Sequence, residues 1–249
     1  MTAAAPKTIR REDYTPPPFL IDFIDLKVDL GKDSTEVSSR LSVRRNPDAE
    51  AQPADLVLDG KKLELVSVLL DDREPAYEID EESMTLKGVP DKFVLNVTTR
   101  IKPQENTELT GLYKSRDMYC TQCEAEGFRR ITYFLDRPDV MSRYTTTITA
   151  DRAAAPVLLS NGNLVAAGDL AEGRHFAKWE DPFPKPAYLF ALVAGPLESL
   201  DDTFVTRSGR KVSLHIYVRP GDVKRCRHAM DSLKKSMKWD EDVYGLEYD

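Results

Sequence analysis

One stretch of the chain concentrates the side chains that could do chemistry. Residues 120–140 read CTQCEAEGFRRITYFLDRPDV. Cys120 and Cys123 have the spacing of a redox pair or of half a zinc site. A redox pair normally opens a helix after a strand, however, and a structural zinc ion takes about four ligands. The other candidate ligands are dispersed along the chain: Cys226, His175, His215 and His228. A structural role for the two cysteines is therefore favoured.

The same stretch carries two carboxylates, Glu124 and Glu126, separated by one residue. On a strand both would face the same side, whereas on a loop they could diverge. A general acid/base pair would need a nucleophile, a metal ion or an activated water, and no neighbouring residue supplies one. A carboxylate on a loop can instead bind an ammonium group through a charge-assisted hydrogen bond. From spacing alone, solvated surface carboxylates are the favoured interpretation.

No other motif in the sequence assigns a reaction. The run from Asp136 to Asp139, Asp-Arg-Pro-Asp, has the composition of a turn and predicts a structural role. The 249 residues contain no glycine-rich phosphate loop, no nucleophile elbow and no His-Glu-x-x-His zinc signature. The residues alone do not define an enzyme.

Composition narrows the class of protein. The formal net charge is −7, which argues against nucleic acid or an anionic membrane as the main partner. No apolar run approaches the roughly 20 residues of a membrane span, and the first residues lack the apolar core of a signal peptide. Three cysteines, an odd number, do not predict a disulfide framework. We expect a cytoplasmic protein.

Period-2 hydrophobicity predicts mainly β structure. Apolar residues alternate with polar ones from Ile24 to Leu30, and a turn leads to a second such strand ending near Val43, so these strands should form a hairpin. Further short apolar runs between turn residues favour an antiparallel β-sandwich. The pattern also predicts a hairpin turn at 161–163, an irregular segment at 181–186, and a strand buried on both faces at 188–194.

A domain boundary is expected after Gly195-Pro196, which divides the chain into residues 1–196 and 197–249. The second part should hold a hairpin and a helix, with Asp222 as the helix N-cap. An apolar stripe at helical spacing consists of Val223, Cys226, Met230, Leu233 and Met237. One hairpin and one helix are too little to enclose a core, so we interpret residues 197–249 as the beginning of an incomplete domain.

Several motifs, in a fixed order along the chain, resemble those of a known protein family. The stretch from Thr121 to Arg129 (TQCEAEGFR), the run YFLDRPDV from Tyr133 and the run WEDPFPKP from Trp179 resemble the N-terminal β domain of the bacterial aminopeptidase N family. These enzymes are M1-class zinc metallopeptidases. The similarity continues through YLFALVAG and TRSGR to SLKxSMKWD, in matching order from about Tyr14 onward.

The resemblance implies a fold, an activity and two site residues. It implies a saddle-like β domain followed by the start of a thermolysin-like catalytic domain, whose zinc site lies beyond residue 249. It implies that Glu124 binds the α-amino group of a peptide substrate and that Gln122 lines the first side-chain pocket. The chain alone would then be inactive and bind no zinc. Its partners would be peptides with a free N-terminus and the missing remainder of the catalytic domain.

A second hypothesis remains open. The chain could be a stand-alone, non-catalytic β module for binding or scaffolding, with Gln122 and Glu124 as vestiges. A third hypothesis is a CxxC redox protein, in which Cys120 and Cys123 would be oxidised reversibly.

Overall fold

The computed structural model describes residues 10–50 and 54–249. The strands, in chain order, are β1 (Phe19–Leu30), β2 (Thr35–Arg45), β3 (Leu56–Asp59), β4 (Glu64–Leu70), β5 (Tyr77–Ile79), β6 (Ser83–Leu86), β7 (Lys92–Ile101), β8 (Gly111–Ser115), β9 (Met118–Gln122), β10 (Ser142–Asp151), β11 (Val157–Ser160), β12 (Asn163–Asp169), β13 (Arg174–Lys185), β14 (Leu192–Gly195), β15 (Glu198–Val205) and β16 (Lys211–Val218). The α-helix of these described ranges, α1, spans Arg227–Val243. The prediction of a mainly β, antiparallel fold is confirmed.

Three sheets enclose the main core. A seven-stranded sheet has the order β12-β13-β10-β1-β2-β7-β4, a four-stranded sheet the order β11-β14-β9-β8, and a three-stranded sheet the order β3-β6-β5. The predicted hairpin is β1 with β2, in antiparallel register. The β1–β10 pair is parallel, unlike the other pairs of this sheet. Alternate β1 residues such as Ile24, Leu26 and Val28 are buried, as their period predicts.

The prediction of an irregular segment at 181–186 is wrong, because β13 continues to Lys185. Its pairing with β12 ends at Glu180, so beyond that residue one side of β13 has no β12 partner. The prolines Pro182 and Pro184 lie in this half-paired stretch, where a missing N–H breaks fewer ladder bonds. Pairing with β10 also slips between Tyr144 and Ser142, which accommodates them.

The prediction of a hairpin turn at 161–163 is also wrong. β11 pairs with β14 and β12 pairs with β13, so the chain passes from one sheet to another at this turn. Gly162 has φ +86° there, and a Cβ would overlap the Glu180 backbone.

The predicted strand at 188–194 begins later, at Leu192. A 3-10 helix occupies Ala187–Leu189, and Leu189 is half exposed. The Asn161 side chain binds the backbone of this segment before β14 begins: it donates to the Leu189 carbonyl oxygen (3.1 Å) and accepts from the Ala191 N–H (2.7 Å). An apolar run cannot reveal these two hydrogen bonds, which explains the error.

Residues after Gly195 form the predicted hairpin, β15 with β16, and the helix α1. Asp222 is not a helix cap: it precedes a 3-10 turn (Val223–Cys226), makes no capping hydrogen bond, and pairs with Arg225. Met230 of the predicted stripe is buried against β16, whereas Leu233 is 38% exposed. This small cluster is separate from the main core. The domain boundary after residue 196 stays a prediction.

Candidate functional site

The two predicted site residues lie together where β9 ends. Gln122 is the last residue of β9, and Glu124 follows in the turn that connects β9 to a 3-10 helix at Phe128–Arg130. Both side chains are exposed. The Gln122 amide Nε2 donates to the Glu124 carbonyl oxygen at 3.2 Å, which fixes the glutamine beside the turn. The peptide bond between Glu124 and Ala125 is cis.

The turn is closed by backbone hydrogen bonds and by a glycine. The Gly127 N–H donates to the Cys123 carbonyl oxygen at 2.8 Å, and the Arg130 N–H donates to the Gly127 carbonyl oxygen at 3.1 Å. A Cβ on Gly127 would lie 3.0 Å from the backbone nitrogen of Gly111 on the neighbouring strand β8. Only glycine allows the turn to pack this closely against the sheet.

Below the turn lies a cluster of four aromatic side chains. The Phe128 ring makes edge-to-face contacts with Phe134 (centroids 5.0 Å apart) and Phe190 (5.1 Å), and Tyr144 completes the cluster. All four side chains are at most 3% exposed. Aromatic pairs of this geometry stabilise beyond their buried area by about 0.5–1.5 kcal/mol each. The turn that carries Glu124 therefore packs against a buried aromatic cluster.

The two carboxylates diverge, as a loop permits. Glu126 Oε2 lies 3.5 Å from Arg129 Nη1 and forms an ion pair with it. Glu124 has no side-chain hydrogen bond or ion pair with any residue in the described part of the chain. The two glutamates therefore differ in their partners: Glu126 pairs with Arg129, and the Glu124 carboxylate is free to bind a ligand.

Behind the turn, a buried carboxylate holds Arg129. Asp136 Oδ2 accepts from the backbone N–H and from Nε of Arg129, both at 3.1 Å. Burial raises the pKa of the Asp136 carboxyl above its ordinary value, against the opposing effect of the Arg129 hydrogen bonds. Asp136 thus holds Arg129 in place, and the structural role expected for the Asp136–Asp139 run stays a prediction. Sequence reasoning missed Arg129 and its second partner, Asp59. Their positions in a motif and in a turn were the signal that could have indicated them.

The cysteine pair has the surroundings of a structural element. Cys123 is 3% exposed, and burial raises the pKa of its thiol to about 12. Such a thiol forms almost no thiolate near neutral pH, and the thiolate is the reactive species. Cys120, Cys123 and Cys226 are all free thiols. The buried Cys123 argues against the redox interpretation.

A metal centre is not formed by these residues. Within residues 10–50 and 54–249, no group of three or more His, Cys, Asp and Glu side chains could hold a metal ion. Over the same ranges, no helix combines the length and apolarity that a membrane crossing needs.

Comparison with known proteins places these features in a family. Residues 22–189 match the model of the peptidase M1 N-terminal domain. The chain is 52% identical to aminopeptidase N of Caulobacter vibrioides, covering 100% of this chain and 29% of that protein. It is also 52% identical to aminopeptidase N of Escherichia coli, covering 98% of this chain and 28% of that protein.

Solved structures of other proteins have a similar fold. Aminopeptidase A of Legionella pneumophila, in complex with aspartic acid, superposes with a TM-score of 0.91 at 38% identity, over 95% of this chain and 28% of that one. The M1 zinc metallopeptidase of Deinococcus radiodurans, bound to a Tyr-Ser-Ala substrate, matches with a TM-score of 0.69 at 16% identity, over 83% of this chain and 49% of that one, and shows the fold alone. The chain spans under a third of the length of the curated bacterial relatives.

Proposed function

Because this chain belongs to the peptidase M1 N-terminal domain family, we propose that it is the N-terminal part of a cytoplasmic zinc aminopeptidase. In that enzyme, Glu124 binds the α-ammonium group of a peptide substrate, and Gln122 forms part of the pocket for the first side chain. The names of the curated relatives, aminopeptidase N, support the activity.

The observation that carries the proposal is the unpaired carboxylate of Glu124. An exposed turn presents it, the Gln122 amide lies beside it, and the nearby cation Arg129 is already engaged by Glu126 and Asp136. An ammonium group that donates to Glu124 gains a charge-assisted hydrogen bond. A peptide without a free N-terminus lacks that donor, so this site selects for cleavage at the chain end.

Zinc supplies Lewis-acid activation of water when it is bound in an enzyme of this class. The described residues of this chain do not fit a zinc site, because they bring no three ligands together. We therefore assign the metal ligands and the proton transfers to the remainder of the enzyme. The task of this chain is to bind and orient the substrate amine.

The test is a pair of substitutions in the complete enzyme, Glu124→Gln and Glu126→Gln. Each keeps the side-chain size and removes one charge from the same turn. Loss of a hydrogen bond between charged partners costs about 1.5–3 kcal/mol, or about 10- to 150-fold in kcat/KM. We expect Glu124→Gln to raise KM and to lower kcat for an aminoacyl p-nitroanilide. Glu126→Gln should stay within about threefold of wild type.

Wild-type kinetics for Glu124→Gln would refute the assignment. Equal losses in both variants would mean that the charge of the turn matters and that neither carboxylate is the anchor. Circular dichroism and zinc content, measured for both variants, ensure that folded, metal-loaded enzymes are compared.

A further inference from the structure

Arg129 is tied to one buried residue by three hydrogen bonds. Its backbone N–H and its Nε both donate to Asp136 Oδ2 at 3.1 Å, and its Nη2 donates to the Asp136 carbonyl oxygen at 3.1 Å. The Asp136 side chain is 1% exposed and the Arg129 side chain 15% exposed. Buried, charge-assisted bonds of this kind fix a side chain far more firmly than a surface ion pair does.

Asp59 connects Arg129 and Asp136 to strand β3. Asp59 is the last residue of β3, and its Oδ2 accepts from the Asp136 N–H at 3.0 Å. Its other oxygen, Oδ1, lies 3.5 Å from Arg129 Nη1. The Lys61 N–H also donates to the Arg129 carbonyl oxygen at 2.9 Å. Arg129 therefore has a fixed position relative to β3 as well as to Asp136.

Arg129 pairs with one carboxylate of the turn and not with the other. Its Nη1 holds Glu126 at 3.5 Å, whereas Glu124, two residues earlier, has no partner among the described residues. Four consecutive residues connect Glu124 to Arg129, and the Gly127 N–H bond to Cys123 makes them one compact turn. A displaced Arg129 would release Glu126, and its guanidinium, five positions from Glu124 in the same turn, would then be free to seek another carboxylate.

We propose that Asp136 is a positioning residue for substrate recognition: by holding Arg129, it keeps Glu126 engaged and leaves Glu124 free to bind the substrate ammonium. This inference rests on the proposed function of Glu124. Asp136 does not touch the substrate. It acts through Arg129, from behind the turn.

The charge of Asp136 is the part that the proposal requires. Asparagine has almost the same shape, but it presents one neutral oxygen to a guanidinium that is 15% exposed. Arg129 would then lack its closest counter-charge and would seek another carboxylate in the turn. Because Glu124 is unpaired, it is available to become that partner, in competition with the substrate.

The matched control comes from the same Asp-Arg-Pro-Asp run. Asp139 accepts from Tyr14 Oη at 3.0 Å and from Arg137 Nε at 2.9 Å, and Arg137 Nη2 donates to the Thr15 carbonyl oxygen. These contacts fix the arm before β1 and do not involve the turn at 123–129. Asp139→Asn therefore perturbs the run without freeing Arg129.

The experiment measures recognition of the amine directly, in the complete enzyme. Inhibition constants are determined for L-phenylalanine and for 3-phenylpropanoate, which differ only by the α-amino group. Their ratio measures what the amine contributes to binding, and a lower fraction of folded enzyme does not change it. We expect Asp136→Asn to lower the preference for L-phenylalanine by about tenfold, in the direction of Glu124→Gln. Asp139→Asn should leave the ratio unchanged.

Two outcomes overturn the proposal in different ways. A wild-type ratio in Asp136→Asn, with Glu124→Gln impaired, would leave the function of Glu124 intact and reduce Asp136 to a stabilising residue. A wild-type ratio in Glu124→Gln would overturn the anchor and the positioning role together. If Asp136→Asn does not fold, Asp59→Asn replaces it in the test, because Asp59 is the more exposed partner of Arg129 (34% exposed). Asp59→Asn should lower the ratio of inhibition constants by about threefold. An unchanged ratio in Asp59→Asn would equally overturn the proposal.

Discussion

Replacing Gly127 by alanine places a methyl group among backbone atoms of the turn that carries Glu124. The new Cβ would lie 2.9 Å from Cys123 Cα and 3.0 Å from the backbone nitrogen of Gly111, and closer still to the Gln122 carbonyl oxygen. Ordinary contact begins at 3.4 Å. The Cys123 contact alone requires a shift of 3.4 − 2.9 = 0.5 Å, and no flexible side chain is present to absorb it.

That shift predicts two measurable effects. Overpacking of this kind destabilises by about 1–3 kcal/mol, and we expect the upper part of that range because backbone atoms must move. Misplacement by about 1 Å can cost about 100-fold in activity, so a shift of at least about 0.5 Å predicts a loss of about tenfold or more. Urea unfolding of the 249-residue chain, followed by far-UV circular dichroism, gives the free energy. The complete enzyme gives kcat/KM and the ratio of the two inhibition constants.

Gly88→Ala is the control, since Gly88 has a φ of +60° and nothing within 4 Å of a Cβ. It should cost about 1 kcal/mol through backbone conformation alone and leave substrate recognition unchanged. If Gly127→Ala unfolds at the wild-type urea concentration and binds L-phenylalanine as well as wild type does, the close packing of the turn is not what positions Glu124.

Two further predictions concern titration. The Cys123 thiol is buried and its pKa is raised to about 12. At pH 8 a thiol reagent should therefore modify Cys123 only after unfolding, whereas Cys120 and Cys226 should react in the folded chain. Rapid modification of all three cysteines in the folded chain would contradict the burial of Cys123. Burial raises the pKa of Asp139, but hydrogen bonds from Arg137 and Tyr14 outweigh it, so the net pKa lies below the ordinary carboxyl value of 3.8. Asp139 therefore stabilises the fold fully above that value and loses its effect as pH falls through its lower folded pKa. Asp139→Asn should lower the free energy of unfolding in urea by about 1 kcal/mol at pH 7. The difference in unfolding free energy between wild type and variant should become smaller only below about pH 4. A difference that already becomes smaller near pH 6 would refute the lowered pKa.

The sequence by itself determined the local features of this protein. Period-2 alternation identified β1 and β2 and their hairpin, because a half-buried strand needs one apolar face. The motifs between Thr121 and Asp139 indicated the family, which the comparisons confirm. The same motifs identified Gln122 and Glu124 as candidates, and their roles stay proposals.

Only the tertiary structure decided which groups of the turn are engaged. Glu124 and Glu126 are indistinguishable by type and spacing, and it is Arg129, fixed by Asp136 and by Asp59, that pairs with one of them. Asp59 reaches Asp136 across 77 positions of the chain, through a bridge between Asp59 and Phe134. Contacts of that separation depend on which strands meet, and hydrophobic period carries no information about partners. For the same reason, the parallel β1–β10 pair and the path of β13 through two prolines could not be predicted from the sequence.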